Sequence, residues 1–289
     1  MNNKNIALVG TGIMGKPIAI NLATAGHSVH IFARRKNAAD DICEHKNIQS
    51  YDSPAAAAAK SDIAITIVSD SDDVKDIILG TEGFVNGLKE GALIVDMSTI
   101  SPEATISIAN SLKDKGIYML DAPVSGGEKG AIDGSLSIMV GGEKKAFDKM
   151  LPVFQVIGEH ITLVGNNSAG QIAKACNQIL VAQVINGVAE AFKLAKNCGT
   201  DPAKVRDALL GGFAYSKILE SHGLRMLQNN YTPGFKALLH KKDLHIALKT
   251  AKRKKIILRG TEYVTQLMDE LVSNDGGELD SSAIATVIE

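Results

Sequence analysis

The sequence predicts an α/β fold in two parts: an open, doubly wound sheet over residues 1–165, then an all-helical domain over residues 166–289. Residues before 165 alternate short Val/Ile-rich runs with helix-like segments, and no convincing strand pattern follows. Charge divides near the same place. Residues 1–160 carry 15 Lys+Arg against 20 Asp+Glu, and residues 161–289 carry 16 against 12. Such an asymmetry fits two domains of separate character; it would put positive charge on one side of a cleft between them, which would suit an anionic ligand.

The expected strands are Ile6–Val9, Val29–Phe32, Ile63–Val68, Leu93–Asp96, Tyr118–Leu120, Ser137–Val140 and Ile161–Val164. Most are nearly unbroken apolar runs, as parallel strands buried on both faces should be. Between them lie helix starts. Ser53-Pro54 and Ser101-Pro102-Glu103 each place a Ser cap before a Pro at the first helical position. The second domain opens on a helix read from about Ala169 to Asn197, stopped by Cys198-Gly199. Asp201-Pro202 caps the next helix, and helical patterns follow near 214–228, 236–253, 261–274 and 280–288.

Composition excludes several classes. Apolar residues make 45% and charged residues 22%, which rules out a disordered or collagen-like chain. No stretch of membrane-spanning length is apolar, and the N-terminus runs straight into a strand pattern, so a cytoplasmic protein with no membrane partner is expected. Net charge of −1 gives nothing global to recruit nucleic acid. Lys252–Lys255 reads as a solvated or salt-bridged surface. Cys43, Cys176 and Cys198 are too scattered for a disulfide framework or a metal knuckle, and His240 and His245 stand five apart rather than at the i, i+4 spacing of a helical zinc site. No metal is expected.

Gly10-Thr11-Gly12-Ile13-Met14-Gly15 forms a G-x-G-x-x-G between the first strand and a helix expected over Ile13–Ala25. The first glycine permits the turn, the second lets backbone approach a pyrophosphate, and the third lets helix and strand pack closely. The N-terminal domain is therefore Rossmann-like and its ligand a dinucleotide. The second strand runs into His30-Ile31-Phe32-Ala33-Arg34-Arg35-Lys36, with no acid before Asp40. An acid there would suit a ribose 2′-hydroxyl, whereas Arg34 and Arg35 suit a 2′-phosphate. NADP(H) is expected in preference to NAD(H).

Asp121-Ala122-Pro123-Val124-Ser125-Gly126-Gly127 follows the Tyr118–Leu120 strand, and a Ser-Gly-Gly turn can aim several N–H groups at one carboxylate. On the long helix, Lys174, Asn177 and Gln178 share one face at i, i+3 and i+4. The lysine, bordered by Ala173 and Ala175, is a candidate proton donor.

Together GTGIMG, DMST (96–99), DAPVSGG (121–127), IMVGG (138–142), the G-x-x-x-K-x-x-N-Q run (170–178) and HKKDL (240–244) resemble the β-hydroxyacid dehydrogenases, in order and over nearly the whole chain. That family includes 3-hydroxyisobutyrate dehydrogenase, tartronate semialdehyde (2-hydroxy-3-oxopropionate) reductase and the glyoxylate and succinic semialdehyde reductases. The resemblance implies that Gly10, Thr11, Gly12, Ile13, Met14 and Gly15 hold the pyrophosphate. It also implies that Thr99 contacts the nicotinamide side, and that Val68, Ser69 and Lys242 contact the cofactor. Ser125, Gly126 and Gly127 would take the substrate carboxylate, Lys174 would be catalytic, and Asn177 and Gln178 would orient a small carboxylate-bearing aldehyde or hydroxy acid. A homodimer or homotetramer is implied, and the apolar faces of the long helix also call for a partner.

The Asn177-Gln178 pair and Gly211-Gly212 followed by Ser216 look more like the tartronate semialdehyde reductases than like the Asn-Asn of 3-hydroxyisobutyrate dehydrogenases. The substrate choice among those enzymes stays open, as does a non-enzymatic NADP(H)-binding scaffold or sensor. Val68-Ser69-Asp70-Ser71 departs from the family's Leu-Pro-Asn-Ser or Leu-Pro-Thr-Ser, and Lys252–Lys255 with Ile256-Ile257-Leu258-Arg259 replaces a proline-containing stretch.

Overall fold

The computed structural model describes residues 3–35 and 39–288. The chain divides into two compact units, Met1–Lys174 and Ala175–Glu289.

In the first unit the chain runs β1 (Asn5–Val9), α1 (Gly15–Thr24), β2 (Ser28–Phe32), α2 (Asp40–Cys43), β3 (Ile48–Ser50), α3 (Pro54–Ala58), β4 (Ile63–Thr66), α4 (Ser71–Leu79), β5 (Leu93–Asp96), α5 (Pro102–Lys113) and β6 (Tyr118–Asp121). It continues as β7 (Val124–Ser125), α6 (Gly127–Asp133), β8 (Leu136–Gly142), α7 (Lys144–Ile157) and β9 (Gly158–Gly165). The strands form one sheet in the order β3-β2-β1-β4-β5-β6-β8-β7, with β9 also on β8. From β3 to β6 all neighbours are parallel, in the doubly wound order whose reversal lies between β1 and β4. Beyond β6 the sheet turns antiparallel at β8.

Alternate side chains of the central strands enter two cores. Ile6 and Leu8 pack with Ile18 and Leu22 of α1, while Ala7 and Val9 pack with Val74 of α4 and Ile108 of α5. All of these are buried, which accounts for the unbroken apolar runs.

The second unit lies on α8 (Ala169–Asn197), which begins in the first unit, then α9 (Pro202–Leu210), α10 (Lys217–Leu227), α11 (Ala237–Arg253) and α12 (Arg259–Ser273). Its core gathers Ile185, Val188 and Phe192 of α8 with Leu244, Met268 and Leu271.

The expected caps are present. Ser53, Ser101 and Asp201 accept backbone N–H groups of α3, α5 and α9. Several expectations need correction. The sequence reading has no counterpart for β3, which reads Ile-Gln-Ser, or for the two-residue β7, because neither has an apolar run. The strand expected over Ile63–Val68 ends at Thr66, and Ile67 and Val68 lie against Gly10 of the glycine loop. Helix α1 starts at Gly15 rather than Ile13, and residues 280–288 hold a short 3₁₀ segment, Ser281–Thr286, capped by Asp280. Among the described residues no helix is long and apolar enough to cross a membrane, and no cluster of His, Cys, Asp and Glu could hold a metal ion.

Candidate active site

The parallel strands end in one row. Val9, Thr66, Asp96 and Asp121 are successive register partners across β1, β4, β5 and β6. In open α/β sheets, ligands bind at the carboxyl ends of the strands. The segments leaving β1, β4 and β5 carry Gly10–Gly15, Val68-Ser69 and Thr99.

After Val9 the chain turns through Gly10 at φ +110°. A Cβ on Gly10 would lie 2.1 Å from the Ile67 carbonyl oxygen, and one on Gly15 would lie 1.6 Å from the Gly10 carbonyl oxygen. Both positions therefore exclude any side chain. Gly12, by contrast, has nothing within 4 Å of an added Cβ, which leaves its backbone open to a close-approaching group. No side chain caps α1, and its first turn holds no acid, so the positive helix end is left for an anion. This geometry fits a pyrophosphate on Gly10–Gly15.

At the end of β2, Arg34 and Arg35 are exposed, and Lys36 lies outside the described residues. Arg34 Nη1 makes a loose ion pair with Asp73 Oδ1 at 3.4 Å. The Val68-Ser69-Asp70-Ser71 departure has a structural role. Asp70 accepts from the N–H groups of Asp72 and Asp73 and so caps α4, while the Val68 N–H donates to Ser98 Oγ at 2.9 Å.

Asp96 is fully buried and accepts from Thr66 Oγ1 at 2.9 Å and the Ser98 N–H at 3.0 Å. Burial pushes its carboxyl up to about 6. Asp121 is also raised by burial, and it accepts from the Ser168 N–H at 2.8 Å and the Gln171 N–H at 3.0 Å. It thereby anchors the start of α8, where a carboxylate also meets the favourable end of the helix dipole.

Ser125 ends β7, and Gly126 (φ +137°) and Gly127 (φ +64°) turn the chain into α6. Lys174 is 7% exposed, and its Nζ donates to the Val124 carbonyl at 2.8 Å. The ammonium is thus held at the residue next to the Ser-Gly-Gly turn, rather than on a solvated helix face.

In the second unit, Asn177 Nδ2 donates to Gln178 Oε1 at 2.8 Å, and Gln178 Nε2 donates to Asp243 Oδ2 at 2.7 Å. Lys242 Nζ pairs with Asp243 Oδ1 at 3.2 Å, and His240 Nε2 lies 3.3 Å from the Gln178 carbonyl oxygen. Asn177, Gln178, Asp243 and Lys242 therefore form one chain of contacts, with Gln178 and Asp243 buried in its middle.

The sequence reading gave no role to Asp70, Asp96 or Gln171. Asp96 and Asp121 end the apolar strands β5 and β6, so aligning the strand ends puts them side by side, whereas Asp70 precedes α4 as its cap. Gln171 carries no signal in the sequence, because its partners are backbone groups more than 70 residues away.

A glycine-turn α/β sheet with a buried lysine beside a second glycine turn defines a dinucleotide-dependent oxidoreductase. Comparison with known proteins makes this specific. Residues 5–165 match the family model described as the NAD binding domain of 6-phosphogluconate dehydrogenase. Residues 168–288 match the one described as NAD-binding of NADP-dependent 3-hydroxyisobutyrate dehydrogenase. The chain is 43% identical to the 2-hydroxy-3-oxopropionate reductase of Escherichia coli over 98% of this chain and 97% of that one. It is 35% identical to the 2-(hydroxymethyl)glutarate dehydrogenase of Eubacterium barkeri, over 98% and 94%. Among solved structures, a Mycobacterium tuberculosis 3-hydroxyisobutyrate dehydrogenase with L-serine matches with a TM-score of 0.90 and 28% identity, covering 98% of each chain. The chain belongs to the β-hydroxyacid dehydrogenase family and is an NAD(P)-dependent oxidoreductase of that kind.

Proposed function

We propose that this chain is an NADPH-preferring reductase interconverting a short semialdehyde or 2-oxo acid and its hydroxy acid, with 2-hydroxy-3-oxopropionate reduction as its best match. Lys174 serves as general acid in reduction and general base in oxidation. The observation that carries the reading is the buried Lys174 ammonium, fixed on the Val124 carbonyl beside Ser125-Gly126-Gly127. The 43% identity to a 2-hydroxy-3-oxopropionate reductase supports the substrate class.

Gly10, Thr11, Gly12, Ile13, Met14 and Gly15 would hold the cofactor pyrophosphate, and Val68, Ser69, Thr99 and Lys242 would hold its other parts. Arg34 and Arg35 would take a 2′-phosphate in exchange for the weak Asp73 contact. The nicotinamide, when bound, supplies the hydride in reduction and receives it in oxidation.

The chain's own residues do the rest. Ser125–Gly127 grip the substrate carboxylate with turn N–H groups, so the carbonyl carbon is presented in one orientation. Lys174, as ammonium, polarises the carbonyl oxygen and passes its proton to the oxygen as the C–H bond forms, ending neutral. In oxidation the neutral amine takes the hydroxyl proton. Asn177 orients the substrate oxygen. Gln178, whose amide is engaged at both ends, holds Asn177 against the Asp243–Lys242 pair. A reduced cytoplasm suits the three free thiols. A homodimer or homotetramer is the expected assembly.

Loss of reduced-nicotinamide absorbance tests the reading, with tartronate, succinic and methylmalonate semialdehydes and glyoxylate, each under NADPH and NADH. The highest kcat/KM is expected for tartronate semialdehyde with NADPH. A higher value for methylmalonate semialdehyde would make the enzyme a 3-hydroxyisobutyrate dehydrogenase. NADPH binding without turnover of any aldehyde would leave a scaffold or sensor.

A further inference from the structure

Gln171 lies in the first turn of α8 and is 1% exposed. Its side-chain Nε2 donates to the Ser98 carbonyl at 2.8 Å, and its Oε1 accepts the Ile100 N–H at 3.1 Å. Those two backbone groups flank Thr99. One planar amide therefore grips the peptide segment around Thr99 at two points, much as a neighbouring strand would. The same residue's backbone N–H is held by Asp121. Gly170 allows the close fit, because a Cβ there would stand 2.4 Å from the Met139 carbonyl oxygen and 2.6 Å from that of Asp121. Lys174 follows Gln171 by three residues, about one helical turn.

We propose that Gln171 is a positioning residue: its side-chain amide fixes the Thr99 segment, which faces the cofactor, at a set distance from the Lys174 ammonium, which transfers the proton. The inference rests on the reading above and adds to it a residue which that reading does not use. Covalent continuity of α8 carries the position of Gln171 to Lys174, and the paired amide contacts carry it to Thr99. Neither Ser98 nor Ile100 offers a side chain for the task at this contact, since both partners are main-chain groups. A displacement of the order of 1 Å between reacting groups costs roughly a hundredfold in rate.

Gln171→Leu removes both bonds at similar volume. Turnover per folded molecule is expected to fall by about ten- to a hundredfold, while the Kd for NADPH and the KM for the aldehyde stay within about threefold. A purely structural glutamine would instead lower the melting temperature and leave kcat per folded molecule unchanged.

Gln171→Glu gives a second readout. Ionised, its carboxylate still accepts the Ile100 N–H but cannot donate to Ser98. Protonated, it restores both bonds. Burial and the nearby Asp96 and Asp121 carboxylates favour the protonated acid, and Lys174 one turn away opposes them. The kcat of Gln171→Glu relative to wild type is therefore expected to recover as pH falls, and that of Gln171→Leu to stay flat. Should the Leu variant fail to fold, the acid recovery of the Glu variant decides. A kcat for folded Gln171→Leu within threefold of wild type, or no recovery of Gln171→Glu as pH falls, overturns the proposal. Wild-type turnover in the same assay separates the two claims. Its absence sinks the reductase reading and this inference with it, whereas its presence with unaffected variants sinks this inference alone.

Discussion

Lys174 reaches from α8 to the carbonyl of Val124, and that bond helps aim a long side chain. Its removal should therefore cost chemistry rather than folding. Lys174→Ala is expected to lower kcat at least about a hundredfold, the size of a general acid's contribution, with melting temperature and NADPH affinity little changed. Near-normal turnover in the folded variant would refute the assignment. Arg34 and Arg35 make a different kind of claim. Arg34 is 86% exposed at the side chain, and its 3.4 Å contact with Asp73 adds little stability in water. Replacing both by Ala should raise the KM for NADPH about tenfold or more, the equivalent of one or two charge-assisted hydrogen bonds, and leave the KM for NADH within about twofold. Equal losses for both cofactors would remove the 2′-phosphate from the argument.

At the scale of elements, the ends of β5 and β6 place two buried carboxylates side by side. Asp96, pushed up to about 6 by burial, binds its proton more tightly folded than unfolded, where 3.8 is the reference. Between those values the native state holds more protons than the unfolded chain. The contribution of Asp96 to stability is thus full below about 4 and lost as pH rises through about 6. The loss amounts to ~3 kcal/mol at most. Asp121 shifts in the same direction, while Asp269 and Asp280 are lowered and act oppositely, so the test is a difference. Denaturant unfolding of wild type and Asp96→Asn should show the Asn variant gaining relative stability from pH 4 to 6 and holding it above. A constant difference would mean that Asp96 does not titrate in this range.

The same strand ends show how much the sequence discloses. Strands β1, β4 and β5 are legible because both faces are buried along a run of three or four apolar residues, and α3, α5 and α9 because a capping Ser or Asp and a Pro announce each start. Strands β3 and β7 are not, because their pairing comes from neighbours rather than from their own side chains. Motif spacing singles out the glycine loop, Ser125–Gly127 and Lys174 as candidates. The Gln171 clamp and the Gln178–Asp243 contact are not legible, because each joins residues more than 60 positions apart.

For the whole molecule, the open question is what covers α8. The helix has 29 residues and spans roughly 40 Å. Leu180 and Leu194 are 66% and 67% exposed, and Gly187, midway between them, has nothing within 4 Å of an added Cβ. Seven-residue spacing keeps these three on one side of the helix, and the central glycine lets another backbone come close. Phe213 and Tyr215 add exposed aromatic surface in the same unit. A second copy of the chain is the partner that supplies matching apolar surface by symmetry. Sedimentation velocity should therefore give at least twice the 30.5 kDa chain mass. Because both leucines are largely outside the core, Leu180→Lys with Leu194→Lys should leave the fold intact and move the protein towards the single-chain mass. A wild-type mass of one chain at every concentration would exclude the assembly. An oligomer indifferent to the two lysines would place its interface on another face of the chain.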